Sequence, residues 1–198
     1  MPTPELVQHS EDNVFKRIDV NKGDPDSVFR DAPHVVEGEY WTGSQEHVYL
    51  ECQGMIAYVD PDNGRMTVKD SMQFPFYVIK ALTHMFDREK NDFRVIQIPT
   101  GGGFGGKEDY PSVIVIHTLL LSLKAGGRPA KIFYDRLGGM AATTKRHPCI
   151  TRHRTAVDKT GKILAMDIEV IMDGGSYVTL SPVVLSRRAT VSPGPAAR

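Results

Sequence analysis

An α+β fold of mixed strands and hairpins around two main helices is what the sequence predicts. Three observations carry the prediction: β-rich runs separated by turn formers, two apolar segments of helical character, and a glycine-rich loop set between a strand and a helix. The composition suits it. A chain of 198 residues, 40% hydrophobic and 24% charged, is ordinary globular material with one substantial core or two small ones.

Taken in order, Gln8 to Pro33 is polar and rich in turn formers from Asn21 to Asp26, so residues 1–33 are expected to form an extended lead-in arm. Val35 to Trp41 is a β-rich run. Cys52 to Val59 and Arg65 to Lys69 are two more, and the turn Pro61-Asp62-Asn63-Gly64 between them makes a hairpin. Phe76 to Phe86 places Val78, Ile79, Leu82 and Met85 at helical spacing, and Phe93 to Ile98 follows as a short strand. Val113 to Leu123 is apolar throughout, with Pro111 before it and Gly126-Gly127 after it, the punctuation of a buried helix. Ala130 to Tyr134 is another strand. Cys149 to Asp158 and Lys162 to Asp173 alternate on either side of Lys159-Thr160-Gly161 and form a second hairpin. The Pro-containing stretch 187–198 has little to fold on and is expected to be an irregular tail after a domain spanning 34–186.

Several function classes are disfavoured. Lys plus Arg and Asp plus Glu both number 24, so charge gives no reason to expect nucleic acid or an anionic membrane surface as a partner. Cys52 and Cys149 lie far apart and outside any CxxC pair, which argues against a disulfide framework or a metal cluster held by this chain; both are expected to be reduced and buried. No stretch approaches the ~20 apolar residues that span a bilayer, and Met1 to Ser10 lacks a signal pattern, so a cytoplasmic location is expected. His147, Cys149 and His153 share one face of an expected strand over too wide a span for a compact metal site. The basic residues Lys145-Arg146 and Arg152-His153-Arg154 are expected to blunt a solvated strand edge.

The most informative segment is Pro99 to Asp109, where five of the six positions from Gly101 to Gly106 are glycine. Backbone amides there must approach something closely, or the chain must adopt a positive φ. Gly101 to Lys107 fits the phosphate-loop pattern GxxxxGK, but Glu108 stands where a hydroxyl would hold magnesium. Gly101, Gly103 and Gly106 also satisfy the dinucleotide fingerprint GxGxxG, with Asp135 ending the next strand where a ribose-binding acid could sit. Against it, Glu108 and Asp109 place carboxylates where the pyrophosphate would lie.

A third reading takes the loop together with Gly43-Ser44-Gln45-Glu46-His47-Val48-Tyr49-Leu50-Glu51, some fifty residues earlier. These two strings in this order resemble the molybdopterin-binding subunit of the xanthine dehydrogenase and aldehyde oxidase family. The likeness extends from Asn13-Val14-Phe15-Lys16-Arg17 to Arg146-His147-Pro148 and Asp173-Gly174-Gly175. It implies hydroxylation of a purine, aldehyde or heterocycle carbon with oxygen from water, through a molybdenum-bound hydroxide and hydride transfer to a sulfido group. The implied cofactor is molybdopterin with molybdenum, in the cytosine dinucleotide form, with 2Fe–2S clusters and FAD on partner subunits.

The resemblance also assigns roles. Gln45 matches the glutamine that hydrogen-bonds an oxygen ligand of the metal, a task an amide performs without adding charge. Gly103, Phe104 and Gly105 match the segment whose amides approach the pterin and metal ligands, while the Phe104 ring shapes the pocket. Glu108 matches the residue that binds the heterocycle in purine-hydroxylating members, where a carboxyl shielded from water could donate as well as accept. Arg187 falls where such members place an arginine against developing negative charge; Arg188 departs from the family pattern beside it.

Family members continue with an Ala-Phe/Tyr-Arg-Gly-Phe-Gly loop and a late glutamate base, neither of which this sequence contains. The chain is therefore expected to be part of a subunit, inactive alone, whose partners are the remaining part of that subunit and the iron–sulfur and FAD subunits. The mismatch after Arg187 suggests a split or frameshifted gene, and apolar surface left uncovered suggests self-association. A non-catalytic binding or assembly module stands as the alternative of a different class.

Overall fold

A computed structural model describes residues 12–191, in the order α1 (Pro25–Asp31), β1 (His34–Thr42), β2 (Gly54–Val59), β3 (Met66–Asp70), α2 (Pro75–Phe86), β4 (Phe93–Gln97), α3 (Pro111–Lys124), β5 (Ala130–Phe133), α4 (Arg136–Ala142), β6 (Cys149–Val157), β7 (Ile163–Met172) and α5 (Ser181–Val191). The class is α+β, with α2 and α3 the longest helices. Residues up to Ser44 group with those from His147 onward, and Gln45–Arg146 forms a second unit.

The Gln45–Arg146 unit is a four-stranded sheet in the order β4-β3-β2-β5, covered by α2 and α3. β2 and β3 pair antiparallel from Met55 opposite Asp70 to Val59 opposite Met66, as the turn at Pro61–Gly64 dictates. α2 then carries the chain across so that β4 runs parallel to β3, and β5 pairs antiparallel with the other edge of β2. Alternation sends Met55, Ala57, Val59, Met66 and Val68 to one face, where they meet Val78, Leu82, Ile114, Val115 and Leu119 in a single core. α2 starts at Pro75 and stops at Asp87, whose φ of 48° is left-handed and whose N–H reaches the Thr83 carbonyl. Met85 points to solvent, unlike its expected core partners.

α3 departs from a helix buried all round. Ile114, Val115, Thr118, Leu119 and Ser122 are buried, but Val113, Leu120, Leu121 and Leu123 are exposed, so only one stripe meets the sheet.

In the other unit, β6 is the middle strand of an antiparallel sheet ordered β1-β6-β7. Arg152 and Arg154 therefore do not blunt an edge. They form cross-strand ion pairs on an exposed face: Arg152 with Glu39 and Glu169 at 2.6 and 2.9 Å, and Arg154 with Glu37 at 3.0 Å. The lead-in is not wholly extended either. Asp24 accepts a hydrogen bond from the Ser27 N–H and Pro25 occupies the first helical position, so the turn formers there cap α1. The expected irregular tail is helical in α5 as far as Val191, and residues 192–198 lie outside the described residues. Phe15 packs so closely on Gly174 that a Cβ there would sit 2.5 Å from its ring, joining the first and last of the resembling segments.

Candidate cofactor-binding site

The glycine loop runs from the end of β4 to the start of α3, and two side chains hold it from below. Glu51 secures the near end: the Gly101 N–H donates to its carboxylate at 2.7 Å, and the Glu51 N–H donates to the Gly101 carbonyl at 3.2 Å. Gln73, just past β3, secures the far end by accepting from the N–H groups of Gly105 (2.9 Å) and Lys107 (3.2 Å). Its backbone N–H donates to the Lys107 carbonyl at 2.8 Å.

Close approach and positive φ each account for part of the glycine cluster. A Cβ on Gly103 would collide with Gln73 Oε1, and one on Gly106 would lie 2.7 Å from the Tyr49 ring and 2.9 Å from His47 Nδ1. Gly105 has a φ of 95°. The contacts of Gly106 with His47 and Tyr49 bring the Gln45–Glu51 segment against the glycine loop. Each motif also holds one non-glycine residue in the left-handed region, Val48 at 48° and Phe104 at 53°. Such strain persists only where the surroundings over-determine it.

Lys107 decides against the phosphate-loop reading. Its side chain is fully buried, and Nζ lies 3.0 Å from both Glu51 Oε2 and Ser71 Oγ and 4.9 Å from the centre of the Tyr49 ring. It turns inward, away from any phosphate the loop could cradle. Burial opposes charge on Glu51, but the Ser71 hydroxyl, the Gly101 N–H and Lys107 together hold its carboxyl below the usual range. Ser71 donates a short hydrogen bond to the same oxygen. Asp70 is fully buried with neither carboxylate oxygen partnered among the described residues, and burial pushes it up to about 7 although Lys107 pulls the other way.

The dinucleotide reading fails on topology. β4 and β5 stand at opposite edges of the sheet with two strands between them, where a βαβ nucleotide fold sets the two in parallel contact. Asp135 caps α4, accepting from the Gly138 N–H at 2.6 Å. Glu108 and Asp109 precede α3, which begins only at Pro111.

Gln45 and Phe104 are exposed, Gly105 and Glu108 half-buried, and Gly103 buried. Gln45 is tied by its carbonyl, which accepts from the Arg146 N–H at 2.8 Å. His47 Nδ1 has no hydrogen-bond partner among the described residues, and burial, with Arg146 and Lys145 nearby, lowers its pKa. Arg187 is exposed on α5 and belongs to the other unit. Cys149 is buried, with Sγ accepting from Arg188 at 2.8 Å; Cys52 is only half-buried, and both thiols are free. His147 contacts Ser181 and His153 stacks on Tyr40, so neither joins a metal-binding cluster among the described residues.

Comparison with known proteins supplies the class. Residues 7–195 match the family described as the molybdopterin cofactor-binding domain, and the chain belongs to that family. It is 33% identical over 187 residues to a probable xanthine dehydrogenase subunit of Bacillus subtilis, covering 94% of this chain and 25% of that protein. It is 31% identical to the nicotinate dehydrogenase large molybdopterin subunit of Eubacterium barkeri, covering 94% and 43%. Among solved structures, the aldehyde oxidoreductase of Desulfovibrio desulfuricans superposes with a TM-score of 0.65 at 26% identity, covering 82% of this chain and 18% of that one. The chain thus spans less than half the length of these relatives. No described helix is long and apolar enough to cross a membrane.

Proposed function

We propose that this chain forms one wall of the cofactor site in a molybdenum hydroxylase of the xanthine dehydrogenase type, and that it is inactive alone. The observation that carries the reading is the span Gly102–Phe104. It is held at both ends by Glu51 and Gln73, while the N–H groups of Gly102, Gly103 and Phe104 find no acceptor among the described residues. Backbone donors left open in this way suit an acceptor-rich group such as a pterin.

When bound, the molybdenum cofactor, in its cytosine dinucleotide form, supplies the two-electron redox chemistry. Gln45 offers an amide N–H to an oxygen of that group without adding charge. Gly103 and Phe104 hold the pterin side, with the Gly105 N–H secured by Gln73, and the exposed Phe104 ring shapes the adjoining pocket. Glu108 binds the polar edge of a purine or related N-heterocycle. Aldehydes are the second substrate class. Iron–sulfur and FAD subunits receive the electrons, in the cytoplasm, and further segments of the molybdenum subunit provide the remaining walls and the base.

Molybdenum and pterin analysis of the chain, purified from a host that makes the cofactor, tests the proposal. The wild-type chain is expected to carry both, and Gly105→Val about tenfold less, a loss worth roughly 1.4 kcal/mol. Equal contents in the two chains, or none in either, would contradict it.

A further inference from the structure

We infer that Gln73, which no matched motif includes, is a positioning residue for the Phe104–Gly105 segment; the inference rests on the cofactor-site reading above. Three bonds converge on this one residue: its side-chain carbonyl accepts from the N–H groups of Gly105 and Lys107, and its backbone N–H donates to the Lys107 carbonyl. The side-chain amide also fills the space where a Gly103 side chain would be. Gln73 thus grips residues 103, 105 and 107 and leaves Phe104 projecting, 66% exposed, at a φ of 53° that a phenylalanine does not adopt without support.

The grip has a rigid base. Ser71, Met72 and Gln73 follow directly from β3, and Ser71 is locked to Lys107 and Glu51. The Met72 carbonyl accepts from the Thr100 hydroxyl, at the other end of the loop, at 3.2 Å. Gln53 makes a useful contrast. It is buried and donates to the Gly106 carbonyl at 2.9 Å and to the Tyr49 hydroxyl at 3.0 Å, yet it touches neither the Gly105 nor the Lys107 N–H. Gln53 supports the loop from one side; Gln73 sets which way its amides face.

Amide hydrogen exchange in the 198-residue chain, followed by NMR, separates the two roles. Gln73→Met keeps the length of the side chain and removes the acceptor. The Gly105 and Lys107 amides should then exchange about fivefold faster relative to the β3 amide of Val68, as loss of a bond worth ~1 kcal/mol implies. Gln73→Glu, which keeps an acceptor oxygen in place, should restore protection, and Gln53→Met should lower global stability without changing the ratio. Pterin content should fall with Gln73→Met and recover with Gln73→Glu. An unchanged exchange ratio in Gln73→Met, or a loosened loop with full pterin content, overturns the inference. If the wild-type chain itself holds no pterin, the cofactor-site reading fails, and the exchange ratio still decides whether Gln73 sets the loop.

Discussion

Gln45–Arg146 and the unit made of the chain's two ends are built on different principles. Among the described residues, every buried hydrophobic side chain except Cys149 and Ala156 belongs to Gln45–Arg146. The sheet β1-β6-β7 instead shows one face laced with ion pairs, and its α1 is tied by Arg154 stacked 4.6 Å from the centre of the Phe29 ring. The difference teaches that a core is not what permits a strained residue: Val178 is left-handed at 55° in the sheet unit, while Phe104 and Val48 are left-handed in the unit with its own core, where Lys107, Glu51 and Gln73 fix the glycine loop.

The largest effect expected from breaking this contrast is that of Leu119→Ala, which empties a fully buried position on α3. It should cost about 2–5 kcal/mol in denaturant titrations. Exchange protection in Gln45–Arg146 should collapse while the fluorescence of Trp41, on β1, shifts less. Identical shifts would mean that the two units unfold as one.

Next is the pH dependence set by Asp70. Its carboxyl is raised from the ordinary 3.8 to about 7, so between those values the folded chain keeps a proton that the unfolded chain has lost. Stability from this group is therefore full below about pH 4, declines as pH rises towards 7 and levels off above, a change of order 2–4 kcal/mol. Thermal midpoints of Asp70→Asn at pH 5 and pH 8 should lie closer together than those of the wild type. An unchanged gap would show that Asp70 does not titrate there.

Glu51→Gln leaves Lys107 buried beside a neutral partner. Because Glu51 is itself 36% exposed, the expected cost is below that of breaking a fully buried pair, about 2 kcal/mol by chemical denaturation. The smallest effect belongs to Arg152→Ala on the solvated sheet, a slight loss of stability that salt diminishes further. A larger, salt-sensitive loss would mean that the ion pairs hold that sheet together.

Both hairpins were legible because their turns, Pro61–Gly64 and Lys159–Gly161, carry residues that only a turn favours. α3 was legible from Pro111 and Gly126-Gly127, but its exposed face was not, since apolar Val113, Leu120, Leu121 and Leu123 outnumber His117 and Lys124 on it. α1 was hidden because Asp24-Pro25 signals a turn and a helix start alike. α4 was hidden by Gly138-Gly139, and α5 by Pro182 and a run of Ser, Arg and Thr without apolar period. At the site, the glycine cluster announced a close approach, and the structure shows what part of it approaches: Gln73, Tyr49 and His47. Gln73 and Asp70 carry no spacing signature, because their roles arise when β3 pairs with β4 and brings Ser71–Gln73 beneath the loop. Tyr49 and Glu51 lie inside the Gly43–Glu51 motif, but only the fold reveals them as the loop's support.

An anaerobic NMR titration of the isotopically labelled chain with the molybdenum cofactor tests directly whether the glycine loop meets that group. Resonance shifts are expected to concentrate at Gln45, His47 and the amides of Gly102 to Gly105, with the ion-paired face of β6 unmoved. No shifts at the loop, or shifts confined to the unit containing β6, would contradict that contact.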